Sequence, residues 1–398
     1  MNKDIVICAG ARTAFAEYSG TPGHGQFKRK SAIELGAIAA KAALERSKVH
    51  PRAIDHVIMG NALQTSSDAI YGARHVGLKA GIPIETPALT VNRLCGSGIQ
   101  SIISAARLIM LDEADFVLAG GMENMSQAPH VVRGCRDGLR FGRPVEFEDY
   151  LFSSLKDPHC GLFMAETAQK LANKYEITRE EQDDFAWRSM SLAIEATESG
   201  IFRDEIVPVD VGKTRVMRDD HIKPKSNREG LSKLRPAFGP EGSVTAGNAS
   251  GIVDGAAAVV VTSLEKALAQ DLPILARVLG WGITGVDPAI MGIGPAPSIL
   301  LCLKRIGASL DSVDLFEINE AFAAQYIAVE RELGLDRDKV NVNGGAIGLG
   351  HPLAATGTRL ALTLGMEMKR RKAALGIASV CIGGGQGIAL ALGAPNAE

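Results

Sequence analysis

An α/β fold made of two similar halves is what this sequence predicts, and three observations carry it. Short apolar runs of strand character alternate with alanine-rich stretches of helical period. Glycines punctuate the ends of those runs, at Gly60, at Gly96 and Gly98 around Cys95, at Gly120-Gly121, and at Gly383 to Gly385. The order strand, glycine turn, alanine-rich helix, strand then occurs twice, over 90–121 and again over 340–385. Such glycine turns at strand ends belong to wound sheets, whose ligands lie off the carboxyl ends of the strands.

Each element has its own signal. Asp4 to Ala9, with Ile5-Val6-Ile7-Cys8, reads as the first strand, and Ser31 to Leu44 as a helix carrying Ile33, Leu35, Ile38 and Leu44. His56 to Met59 is the next strand, and Ala88 to Val91 reads as a buried strand that leads into Cys95. Beyond the cysteine, Ile99, Ile102, Ile103, Ala106, Ile109 and Met110 fall on one helical face, so a helix begins near Ser97. A sulfur just before a helix N-terminus sits beside unpaired N–H donors and the positive end of the dipole, an arrangement expected to favour the thiolate. Phe116 to Ala119 continues the sheet.

From 124 to 253 the texture changes to more Arg, Asp, Pro and Phe, which reads as an inserted domain. The first half is then 1–123 with 254–275, and the second half is 276–398. Within the insertion, Thr178 with Glu181 three residues on is a capping box, and Gly200 stops the helix between. Between Arg215 and Arg235 seven basic residues face three acidic ones, a local positive excess suited to an anionic ligand. The small-residue stretch 243–257 lets a ligand or another backbone approach closely.

Composition narrows the function. A formal net charge of −2 gives no basic field for nucleic acid or a membrane surface, and no apolar run is long enough to span a bilayer. Six scattered cysteines without a C-x-x-C pair argue against a zinc site and a disulfide scaffold. Neither a phosphate-binding P-loop nor a dinucleotide G-x-G-x-x-G motif is present. The N-terminus shows no leader pattern, which points to the cytoplasm. If the two halves pack with their glycine turns together, Cys95, His351 and Cys381 face one crevice. The glycines after Cys381 then offer free N–H groups to an anion.

Four segments, Val91 to Gly98, Asn319 to Gln325, Asn343 to Gly357 and Cys381 to Gly387, resemble in order and spacing the signatures of the thiolase family. That resemblance spans nearly the whole chain. It implies the five-layered α/β/α/β/α thiolase fold, a homotetramer built as a dimer of dimers or a homodimer, no metal, no tightly held cofactor, and coenzyme A with acyl-CoA as substrates. It further implies that Cys95 is the acylated nucleophile, His351 its base and Cys381 a second acid/base. Asn319 is implied to serve the enolate through water, and the N–H groups of Cys95 and Gly383 the tetrahedral oxyanion. On the same resemblance, Ala246 and Ser250 lie along the pantetheine arm, and Arg218 and Leu231 belong to the CoA-binding segment. Phe163, Met164, Phe238, Met291 and Phe322 are expected to line the acyl pocket, where their bulk favours a short acyl group. Condensation of two acetyl-CoA, or the reverse thiolysis, is the implied reaction, with longer 3-ketoacyl-CoA the alternative.

Two positions depart from the family pattern. Ala354 replaces a glycine after His351-Pro352, and Phe163-Met164-Ala165 stands where short-chain members often carry His-Met-Gly. A decarboxylating synthase of related fold would carry histidine or asparagine in place of Cys381, and a silent acyl-CoA binder has no reason to keep all four reactive side chains.

Overall fold

The computed structural model describes residues 3–237 and 241–395. Its central sheet runs, from one edge to the other, Leu315–Ile318, Leu375–Ile382, Gln386–Gly393, Ala276–Gly285, Ile5–Thr13, Val253–Ser263, Phe116–Glu123, His56–Gly60 and Ala88–Val91. The halves join where Ile5, Val6 and Ile7 pair antiparallel with Val278, Arg277 and Ala276. The sheet is mixed. His56–Gly60 lies parallel to both of its neighbours, whereas Val253–Ser263 is antiparallel to the strands on either side.

Five layers follow from where the apolar faces go. Helix Ala32–Ser47, capped by a Ser31/Glu34 box, buries Ile33, Leu35 and Leu44 against one face of the first half-sheet. Helices Pro295–Ile306 and Ala323–Leu333 cover the outer face of the second. Between the half-sheets lie Ser97–Met110 and Leu353–Arg371, packed on Ile58, Val117 and Val259 from one side and Val380, Ile388 and Leu390 from the other. Ile99, Ile102, Ile103 and Ile109 are essentially fully buried there, each worth about 1.5–3 kcal/mol. The two central helices touch through glycine. A Cβ on Gly98 would stand 2.4 Å from Thr358 N, and one on Gly357 would stand 2.5 Å from Ile99 N.

One expectation changes here. Ala88–Val91, expected as buried, is an edge strand with Leu89 48% exposed; a short apolar run looks alike at an edge and in a core. Helix Arg179–Glu198 has the expected Thr178/Glu181 capping box, and Gly200 follows at φ +82°. Among the described residues no helix is long and apolar enough to cross a membrane, and no group of three or more His, Cys, Asp or Glu is placed to hold a metal.

Candidate active site

The two central helices begin at the same place, and their first residues build one site. Ahead of Ser97–Met110, the turn Leu94–Gly96 holds Cys95, with Leu94 in the left-handed region at φ +47°. That conformation is costly for leucine and is held by neighbours. Asn92 Oδ1 accepts from Leu94 N at 2.9 Å, and Ser97 Oγ donates to Leu94 O at 2.7 Å. Ahead of Leu353–Arg371 sits His351, whose backbone N–H donates to Gly251 O at 2.9 Å. Cys381 comes from the end of Leu375–Ile382.

Cys95, His351, Cys381 and Gly383 line one cavity of about 330 Å³. Ala246 and Ser250 line it too, as do Phe163, Met164, Met291 and Phe322. Met164, Met291, Ala321 and Phe322 pack around Cys381, while Phe163 tilts against half-exposed Phe152 at 4.7 Å between ring centroids. Asn319 lies behind the wall, fully buried, with Nδ2 3.4 Å from His351 Nε2. Its amide also bonds the Cys381 thiol, and its Oδ1 is a buried oxygen without a protein partner among the described residues. Such an atom calls for an ordered water.

Leu231 packs instead in the core beside the outer helices, and Arg218 is exposed; neither lines the cavity. Phe238 lies outside the described residues. The basic segment around Arg218 is largely paired: Arg215 with Asp210, Lys223 with Glu17, Arg228 with Asp184 and Lys233 with Glu229. Sequence reading missed Glu17, Tyr18, Thr21 and His221 on the cavity wall. They come from the short strand Ala16–Glu17 and the turn after it, and from the segment 124–253, where no motif marks them; His221 Nδ1 meets Glu17 Oε2 at 3.0 Å.

Electrostatics correct the thiolate expectation. The Cys95 sulfur does receive its own N–H and that of Gly383, yet burial outweighs both and pushes the thiol up to about 11. Cys95 therefore rests as a thiol. Burial, and then the charge of Arg359, push His351 down to about 3, so the imidazole is neutral. Its Nδ1 bonds Thr356 Oγ1 at 2.6 Å; with Nε2 turned to the Asn319 amide, Nδ1 carries the hydrogen and Nε2 is the unprotonated, accepting nitrogen. Cys381 is held higher still, by burial and by nearby Cys95, against the help of its own N–H and Asn319. Ala354, the departure after His351, is fully buried in the first turn of its helix and donates its N–H to Glu123 at 3.1 Å.

Comparison with known proteins decides the family. Residues 5–265 match the family model described as thiolase, N-terminal domain, and residues 272–394 match thiolase, C-terminal domain. The chain belongs to the thiolase family. It is 50% identical over 392 residues to the mitochondrial 3-ketoacyl-CoA thiolase of Homo sapiens, covering 98% of each chain. It is 46% identical over 399 residues to the acetyl-CoA acetyltransferase of Pseudomonas aeruginosa, covering 98% of this chain and 99% of that one. The crystal structure of the human mitochondrial enzyme in complex with CoA superposes with a TM-score of 0.96 at 50% identity, over 98% of both chains. The five-layered thiolase fold is thus the fold of this chain, and it is an acyltransferase of that family.

Proposed function

We propose that this thiolase interconverts two acetyl-CoA with acetoacetyl-CoA and CoA through an acyl-Cys95 thioester. The observation that carries the reading is the convergence of Cys95, His351 and Cys381 on one cavity, with the Gly383 N–H on the Cys95 sulfur. His351 Nε2 takes the Cys95 proton as the sulfur attacks the substrate thioester, and returns it to the departing CoA sulfur. The Cys95 and Gly383 N–H groups hold the oxyanion. In the second half-reaction His351 Nε2, neutral again, takes the Cys381 thiol proton, and the Cys381 thiolate removes the α-proton of acetyl-CoA. The carbanion attacks acyl-Cys95, whose sulfur leaves and takes the proton back from His351. Asn319, through water, and His351 hold the enolate oxygen; the unpartnered Oδ1 of Asn319 supports a water there.

The acyl group is short in this reading, because Met164, Met291 and Phe322 crowd Cys381 and the cavity lies near the lower end of small-molecule pockets. The 50% identity to a 3-ketoacyl-CoA thiolase favours a second reading, in which longer 3-ketoacyl-CoA is cleaved. A coupled thiolysis assay over 3-ketoacyl-CoA of graded length separates them: the rate is expected to peak at acetoacetyl-CoA, and a rate that climbs with chain length selects the second. For CoA, Ala246 and Ser250 are proposed along the pantetheine arm. Arg218 and Leu231 are kept as the proposed CoA-binding segment, and Arg218, exposed and free of any described ion pair, suits the phosphates.

The same reading divides the chain into 1–123 with 254–275, an inserted 124–253, and 276–398. Support comes from the return of Val253–Ser263 to the first half-sheet beside Phe116–Glu123. A homotetramer or homodimer is proposed, with exposed Ile70, Tyr71, Ile84 and Leu89 near the edge strand as apolar surface for a second copy. The proposed compartment is the cytoplasm; the mitochondrial names of the 50% relatives raise the mitochondrion as alternative.

A further inference from the structure

Behind the cavity, outside its lining, Glu123 ends the strand Phe116–Glu123 with a fully buried carboxyl group and, among the described residues, no cationic partner. Four donors surround it. Oε1 accepts from Asn61 Nδ2 and from Leu63 N, each at 2.9 Å; Oε2 accepts from Ala62 N at 3.2 Å and Ala354 N at 3.1 Å. The last of these belongs to the first turn of the helix that follows His351. The Ala62 bond leads the other way, since Ala62 O accepts from Asn92 Nδ2 at 3.2 Å, and Asn92 Oδ1 holds the N–H of left-handed Leu94.

We propose that Glu123 is a positioning residue for the acyl-transfer step, a carboxylate that ties the strained turn carrying Cys95 to the start of the helix that follows His351. The inference rests on Cys95 and His351 acting as nucleophile and base. One charge thereby sets the spacing of two groups that come from opposite halves of the chain. All four partners are donors, so only the ionised carboxylate satisfies them; a proton on either oxygen faces an N–H and breaks a bond. Burial pushes Glu123 up to about 7, against three of those backbone N–H groups. Asp254 on the adjacent strand pushes it the same way, and Cys95 is the other titratable group coupled to it. Arg359, the buried cation of the helix Leu353–Arg371, is paired with Glu317. The tie therefore loosens as pH falls through neutrality, where His351 is still neutral.

Glu123→Gln tests this, because the amide keeps the shape but turns an NH₂ toward N–H donors. The expected result is a fall in kcat of roughly a hundredfold, the size of an ångström-scale misplacement, with KM little changed. The acid limb of the kcat–pH profile near 7 should disappear with it, whereas Asp254→Asn should shift that limb to lower pH without removing it. Asn92→Ala cuts the same chain of bonds at an exposed residue and serves if the first variant does not fold; it should lower kcat and keep the acid limb. Hydrogen exchange at Leu94 and Ala354, read by mass spectrometry, should quicken in Glu123→Gln, and at Leu94 alone in Asn92→Ala. An unchanged acid limb in Glu123→Gln, or unchanged kcat and Leu94 exchange in Asn92→Ala, overturns the tie. Absence of thiolysis by the parent enzyme with every 3-ketoacyl-CoA overturns the functional reading instead, while the exchange measurement still reports on the tie.

Discussion

Cys95 and Cys381 are the same side chain in two settings, and the contrast bears on the two jobs that the proposed mechanism gives to sulfur. Cys95 sits on a half-exposed turn after an edge strand, with two N–H groups on its sulfur. Cys381 is 1% exposed, ends an interior strand, and is wrapped by Met164, Met291 and Phe322. Both thiols are raised by burial, but the better-solvated one receives more backbone donors and is held less high. A nucleophile that meets each incoming thioester suits the first setting. A base that acts only once the substrate has sealed the cavity suits the second.

The largest test of that contrast removes each sulfur in turn. Cys95→Ala should lower turnover by at least about 10⁴-fold and abolish acylation. Cys381→Ala should lower it by about 10²–10⁴-fold while acyl-Cys95 still accumulates, visible by mass spectrometry of the intact protein. If Cys381→Ala fails to acylate, the division of labour collapses.

An intermediate effect concerns His351, the proposed base. His351 is about 3 in the folded chain against 6.5 when unfolded, so the unfolded chain binds the extra proton and acid favours unfolding across that interval. Between pH 6.5 and 3 the parent should therefore lose stability that His351→Gln keeps, measured as the difference in urea midpoint. A constant difference across that range would mean His351 is not held neutral by burial.

The smallest effect is expected at Gly383. A Cβ there would meet Met164 Sδ at 3.3 Å and Leu94 Cδ1 at 3.5 Å, both flexible side-chain ends, and its N–H would stay in place. Gly383→Ala should thus keep kcat within about tenfold, far above the loss from removing an oxyanion donor. A loss of a hundredfold or more would show that the glycine is needed for space beside Cys95.

Local chemistry was legible in the sequence wherever a spacing encodes it. The helix starting at Ser97, the Thr178/Glu181 box and the paired strand–turn–helix units all follow from periodicity and caps. The meeting of Cys95, His351 and Cys381 followed from the repeat. What escaped was set by tertiary burial. The helix terminus at Ser97 suggested a thiolate, but desolvation, which no local pattern reports, reverses it. The edge position of Ala88–Val91 was hidden because Ala-Leu-Thr-Val fits an edge and a core equally. Glu123 reads as one acidic residue after a strand, and only the fold reveals the four donors aimed at it. Glu17 and His221 meet across about two hundred residues of chain, a separation no spacing rule connects.

The place of Val253–Ser263 in the sheet has a consequence for how the chain is born. It is the long partner of Ile5–Thr13 on one side and of Phe116–Glu123 on the other, so those two strands do not pair with each other. Ile5–Thr13 must wait for that partner until residues 124–253 have been made, roughly 7 to 26 seconds at ordinary translation speed after Glu123 is added. Through that interval Ile5, Val6 and Ile7 have no long sheet neighbour, since the other, Ala276–Gly285, is made later still. Assembly of the first half-sheet is thereby timed by the synthesis of the segment that separates its strands, and the wait ends only when Val253–Ser263 follows that segment.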